Sequence, residues 1–205
     1  SGDRPSEFPA YGLPHEARGE RFRDAVAYFR RLLGSTGGVI ESPLGRTSSG
    51  TLLLPKPAAG AIPLIVTGGS GQSPAWISEH ADGWLSYPGP SHDQSGPARL
   101  ADKIRLWRDG IPDGGFRPHM TNEWLDLVED PHHPRTPLQG GFILRTGRNG
   151  LIDLLRQWQA AGVNHVALGI QFSERPVAEI IQELAEEVLP HFPSLPGPAP
   201  RGIVW

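Results

Sequence analysis

The residues best suited to chemistry in this chain of 205 residues are small ones. Between the apolar run Pro63–Thr67 and a short helical stretch stands GGSGQS, residues 68–73. Gly68, Gly69 and Gly71 permit a tight turn and a close approach of backbone to a ligand. Ser70 and Ser73 add hydroxyl donors and Gln72 an amide donor. Ser73 is placed to cap the helix and Pro74 to occupy its first position, so the positive end of the helix faces the loop. These features suit a phosphate. A tight strand-to-helix turn with an ordinary cap accounts for the loop equally well. It is not a P-loop, because no Lys-Ser/Thr pair follows. It also departs from G-x-G-x-x-G, and no acidic residue ends a strand at the distance a ribose requires.

Other polar residues are weaker candidates. His132 and His133 sit together in a Pro-rich loop, where a solvated pair is the simpler reading. His165 begins a strand, and His80 and Asp82 read as helix-end and turn residues. Glu183, Glu186 and Glu187 fall on the solvated face of the last helix. Trp76, Trp84, Trp107, Trp124 and Trp158 read as core. No Ser-His-Asp arrangement and no metal-ligand spacing stands out, so no metal and no catalytic residue is assigned.

The loop must be held by the elements around it. Phe22, Val26, Phe29 and Leu33 recur at helical spacing over Glu16–Gly34. A Gly-, Ser- and Pro-rich excursion follows. Pro63–Thr67 is a short apolar strand, expected to be covered on both faces. Ser73–His80 is a helix and GWLSYP, residues 83–88, a strand. Pro97–Arg108 is helical, His119–Val128 a strand, and residues 129–147 a long loop. Asn149–Ala161 is a helix with Leu151, Leu154, Leu155 and Trp158 on one face. His165–Phe172 is a strand and Pro176–Phe192 the last helix. Strand and helix alternate, which predicts an α/β fold with a parallel sheet and right-handed crossovers. Residues 1–192 read as one domain and 193–205 as a Pro-rich tail.

Composition limits the function. The net charge of -3 argues against a nucleic-acid partner. With no cysteine, disulfides and thiolate metal sites are excluded, which fits a reducing, cytoplasmic setting. No apolar run reaches the roughly 20 residues of a membrane-spanning helix. The opening SGDRPSEFPAYG has no initiating Met and reads as the end of a strand-to-helix loop, so a preceding segment is expected.

Several stretches together resemble the bacterial-luciferase-like flavin monooxygenases, in a luciferase-type oxidoreductase subgroup. PLIVTGGSGQSPAWISEHADGWLSYP is similar to that family's fifth strand, Gly/Ser turn, helix and next strand. SGDRPSEFPAYG with RGERFRDAVAYFRRLL resembles the loop after the fourth strand and its helix. LLLPKP resembles the excursion before the fifth strand, and GRNGLIDLLRQWQAAGVNHVALGIQF the seventh helix and eighth strand. The resemblance implies a (β/α)8 TIM barrel, of which this chain would cover about strands 5–8 and helices 4–8, the C-terminal two-thirds of the protein. It implies FMN, or alternatively F420, at the C-terminal ends of the strands. The cofactor phosphate would lie on Thr67, Gly68, Gly69, Ser70, Gly71, Gln72 and Ser73. Ser1 and Gly2 match the turn after the fourth strand, and Arg4 and Arg18 would be charge partners. The implied activity is oxygenation of a small organic substrate by reduced flavin and O2, with a flavin reductase as possible partner. The family's catalytic polar residues would stand on strands one to four, upstream of this chain. A non-catalytic flavin or phosphate binder, or an inactive fragment, are the alternatives. Four strands alone would leave open edges, so a homo-oligomer is expected.

Overall fold

The computed structural model describes residues 4–93 and 95–194. A 3-10 turn, Pro5–Tyr11, leads to helix α1, Arg18–Gly34. The excursion carries a small hairpin, β1 (Glu41–Ser42) and β2 (Gly45–Arg46). Then come β3 (Ile65–Thr67), α2 (Pro74–His80), β4 (Gly83–Leu85), α3 (Gly96–Asp109) and β5 (His119–Leu127). They are followed by β6 (Thr136–Leu138), β7 (Ile143–Thr146), α4 (Arg148–Ala160), β8 (His165–Gly169) and α5 (Val177–Glu183). A π turn, Leu184–Val188, and a 3-10 turn, Leu189–His191, prolong α5. Pro190 has no N–H to continue an α-helical ladder.

The sheet is dominated by parallel pairings. β3 pairs with β4, and β4 with the start of β5 through Trp84↔His119 and Leu85↔Met120. Along β5, residues 120–124 pair with β8 and residues 125–127 with β7. In this sheet, among the described residues, only β6 is antiparallel, against β7.

The long loop expected over residues 129–147 is therefore wrong in part, since it holds the β6–β7 hairpin. Pro137 is tolerated there because, among the described residues, β6 pairs on one side only. Four other segments differ from expectation. The opening stretch contains a 3-10 helix. The strands expected to reach Pro88 and Phe172 stop at Leu85 and Gly169, and regular α-helix stops at Glu183.

Burial along β5 follows the two-residue period of a strand. His119, Thr121, Glu123, Leu125 and Leu127 are buried on one face, while Met120, Asn122 and Trp124 on the other are half-exposed. Three apolar clusters line the buried face. Val66, Trp84 and Ile77 meet Trp107, so β3 and β4 pack on α2 and α3. Leu100 and Ile104 of α3 meet Leu154 and Trp158 of α4. Leu125 and Leu127 meet Leu151 of α4 and Ile180 of α5. The opposite face is less covered than the apolar runs predict: Thr67, His165 and Ala167 are exposed. Of the tryptophans expected in the core, Trp84, Trp107 and Trp158 are buried, and Trp76 and Trp124 only in part.

Leu154 is fully buried between α3 and β7. Leu154→Ala should lower the unfolding free energy by about 3 kcal/mol. Urea titration checks this, and the m-value should not change.

Candidate functional site

Loop 68–73 takes a conformation that its glycines make accessible. Gly68, Ser70 and Gly71 all have positive φ, at 59°, 47° and 71°. Gly68 N–H donates to Leu85 O at 2.7 Å, extending the β3–β4 ladder, and Gly68 O accepts from the Trp84 indole N–H at 2.7 Å. Gln72 N–H donates to Gly69 O at 2.7 Å, which closes the turn, and Ser70 Oγ donates to Thr67 O at 2.9 Å. Among the described residues, the backbone N–H groups of Gly69 and Gly71 donate to no protein acceptor. Ser73 is the cap that the sequence predicts: its Oγ accepts from Trp76 N–H at 3.2 Å, and its own O–H remains a donor.

Helix α1 braces the loop from outside. A Cβ on Gly19 would lie 2.8 Å from Gly71 O, so the two backbones touch. Gln72 Nε2 donates to Gly19 O at 2.7 Å and to Ser70 O at 3.1 Å, while its Oε1 accepts from Arg23 at 3.1 Å. The amide that the sequence offers to a ligand is thus also the clamp between loop and helix. Arg18 lies against Gly71, its Cγ 3.8 Å from where a Cβ would stand, and one guanidinium N–H reaches His15 O at 3.3 Å. Arg4 is exposed and pairs with Glu7 at 3.5 Å. The structure therefore brings together Arg18, Thr67 and residues 68–73, with Arg4 engaged by Glu7. Ser1 and Gly2 lie outside the described residues, as does the tail from 195.

Two buried titratable groups stand on the helix-facing side of β5, and residue type alone did not single them out. His119 is enclosed by Trp84 and Trp107, and its Nε2 is 2.9 Å from Ser86 Oγ. Burial, with help from Arg108 and Lys103, pushes its pKa down to about 4. Glu123 is held by Ser91 Oγ and by Trp124 N–H, and burial raises its carboxyl to about 7 despite these bonds. Glu183, expected on a solvated face, instead accepts from Arg148 at 3.1 Å and Arg175 at 2.6 Å. No group of three or more His, Cys, Asp or Glu that could hold a metal ion occurs among the described residues. Among them, too, no helix is long and apolar enough to cross a membrane.

Comparison with known proteins assigns the class. The family model described as luciferase-like monooxygenase matches residues 1–115, more than half of the chain, and the protein belongs to that family. The monooxygenase RslO1 from Streptomyces bottropensis is similar in structure, with a TM-score of 0.72 at 18% identity over 94% of this chain and 67% of that one. The coenzyme F420-dependent tetrahydromethanopterin reductase from Methanopyrus kandleri gives 0.68 at 12% identity, over 93% and 72%. Riboflavin lyase RcaE, in complex with modified FMN and riboflavin, gives 0.60 at 13% identity, over 89% and 59%. This chain thus spans 59–72% of the length of these three structures. No curated protein matches its sequence.

The two buried groups give opposite pH dependences. Between about pH 4 and 6.5 the unfolded chain binds the His119 proton and the fold does not, so stability rises with pH. Between about pH 4.5 and 7 the fold keeps the Glu123 proton that the unfolded chain has lost, so stability falls with rising pH. The two slopes oppose each other where the windows overlap. Glu123→Gln should leave a stability that climbs from pH 4.5 to 6.5, by up to about 1.4 kcal/mol per pH unit. His119→Asn should leave one that declines. Urea titrations at several pH values read the slope independently of any constant loss.

Proposed function

We propose that this chain is the flavin-holding part of a flavin-dependent oxidoreductase, a monooxygenase that uses reduced flavin and O2 on a small organic substrate. The observation that carries the reading is the cradle at 68–73. Gly68, Ser70 and Gly71 have positive φ, the N–H groups of Gly69 and Gly71 donate to no acceptor among the described residues, and a backbone contact with Gly19 leaves no room for side chains. Membership of the luciferase-like monooxygenase family supports it. In this reading β3, β4, β5 and β8 are strands 5–8 of a luciferase-like barrel, and the loop after β3 opens at the carboxyl ends of the strands.

The cradle fits a phosphate monoester. Gly69 and Gly71 N–H and the Ser73 hydroxyl would donate, with Thr67, Gly68, Ser70 and Gln72 shaping the turn and Arg18 supplying charge. Arg4, with Ser1 and Gly2, would approach from the preceding loop. FMN is the proposed cofactor; F420 is the alternative, supported by a structural neighbour that is named for it. When bound, a reduced flavin supplies the electrons that activate O2 toward the substrate. This chain's own residues bind the phosphate end and fix its position relative to the sheet. A cytoplasmic setting and a flavin reductase as electron source belong to the same proposal.

Ser70→Asp puts a negative charge in the cradle. It should weaken FMN binding more than tenfold, since charge-assisted hydrogen bonds contribute roughly 1.5–3 kcal/mol. Titration of FMN followed by fluorescence quenching measures this, with circular dichroism to confirm that the fold is intact. Unchanged affinity would remove the loop from the cofactor site.

Self-association is the second part of the proposal. Among the described residues β3 and β8 each pair on one side only, and Thr67, His165 and Ala167 are exposed. Open strand edges of this kind recruit further strands or copies. Light scattering on the purified chain should give at least the mass of a dimer. A monodisperse monomer would show that the edges are protected some other way.

A further inference from the structure

Three aromatic side chains outside the 68–73 loop meet: Trp124 within β5, Phe142 just before β7 and Phe172 just after β8. The Trp124 ring centroid lies 5.7 Å from that of Phe142 and 5.9 Å from that of Phe172. The two Phe rings are 5.9 Å apart. Trp124–Phe172 and Phe142–Phe172 meet edge to face, at 85° and 73°, the arrangement that ring quadrupoles favour. The cluster is not core, because Phe142 is 51% and Phe172 40% exposed.

The strand register shows what lies below the rings. Trp124 stands on the face of β5 away from the helices, opposite Gly169 of β8. A Cβ on Gly169 would run into the Trp124 ring, so the indole lies across β8. Two residues earlier on β5, Asn122 stands opposite Ala167, which is small and exposed. Asn122 Oδ1 is buried and has no hydrogen-bond partner among the described residues. A buried acceptor in that state is costly and marks a place for a donor. The same face carries the row Thr67, Leu85, Met120 and His165, in register across the sheet. Thr67 leads from that row into the phosphate loop, and Asn122 and Trp124 continue it along β5 toward the same carboxyl end.

We propose that this shelf seats the substrate, and that the substrate is a planar aromatic molecule carrying an O–H or N–H donor. Its ring packs against the wall of Trp124, Phe142 and Phe172, and its donor reaches Asn122 Oδ1. The inference rests on the flavin reading for the role of the shelf, but not for the binding itself.

Calorimetric titration of the full chain tests it with three probes: 2-naphthol, its saturated analogue decahydro-2-naphthol, and 2-methoxynaphthalene, which lacks the donor. The unsubstituted protein should bind 2-naphthol at least about fivefold more tightly than the saturated analogue. Trp124→Leu should abolish that preference and Trp124→Phe retain it. Asn122→Leu should weaken 2-naphthol about fivefold and leave 2-methoxynaphthalene unchanged. FMN affinity should be the same in all variants. Equal binding of the flat and saturated probes, or binding of neither, overturns the proposal. So does a preference that survives Trp124→Leu, or an Asn122→Leu that treats both naphthalenes alike. A parallel loss of FMN affinity in Trp124→Leu would show that the rings bed the flavin instead, which also overturns it. The expected probe pattern in a protein that takes up no FMN would defeat the flavin reading and leave the shelf standing.

Discussion

Residues His119–Leu127 carry parallel partners along their whole length, with β4 at the start, β8 through the middle and β7 at the end. Because side chains alternate, this one strand sends His119, Thr121, Glu123, Leu125 and Leu127 to the helices and Asn122 and Trp124 to the other face. A slip of one residue would exchange the two sets and bury Asn122 in the core. Apolar packing prevents it: Leu125 and Leu127 are locked against Leu151 and Ile180, and His119 lies between Trp84 and Trp107. Fixing β5 fixes the register of β4, and through β4 that of β3 and the loop that follows it.

The cradle after β3 depends on this frame twice. Gly68 N–H continues the β3–β4 ladder, and the Trp84 indole, anchored in the same apolar cluster, holds Gly68 O. From the other side, α1 closes on Gly71 through Gly19 and the Gln72 clamp. Two of the donors in the proposed site, the Gly69 and Gly71 N–H groups, are set by φ and ψ rather than by rotamer choice. Backbone donors of this kind need no side-chain ordering when a ligand arrives, the general advantage of preorganised donors.

Polar groups on the helix-facing side of β5 are kept neutral or paired. His119 is uncharged at neutral pH, and burial raises the Glu123 carboxyl to about 7. On the opposite face Asp126, 2% exposed, is paired with Arg145 at 2.6 Å, which in turn reaches Glu174 at 3.0 Å. Burial without a counter-charge suppresses ionisation, whereas a direct guanidinium contact supports it. Within four residues the strand carries a buried carboxyl without a counter-charge, Glu123, and one paired with a guanidinium, Asp126.

Local patterns settled much of this protein from sequence. The helical spacing of Phe22, Val26, Phe29 and Leu33 places α1, and the Ser73-Pro74 pair sets the start of α2. The alternation of strands and helices points to a parallel α/β sheet. These features arise from neighbours a few residues apart, so they can be read along the chain. The β6–β7 hairpin was not read, although the Gly140-Gly141 turn before the apolar ILRT run is a usable signal, because Pro137 weighs against a strand wherever edge and centre are unknown. Gln72 as a clamp, Gly19 as the partner of Gly71, and the meeting of Trp124 with Phe142 and Phe172 join segments 18 to 53 residues apart. Side-chain type does not encode such contacts. They exist only once β5 has fixed the register of the sheet and the helices have packed against it.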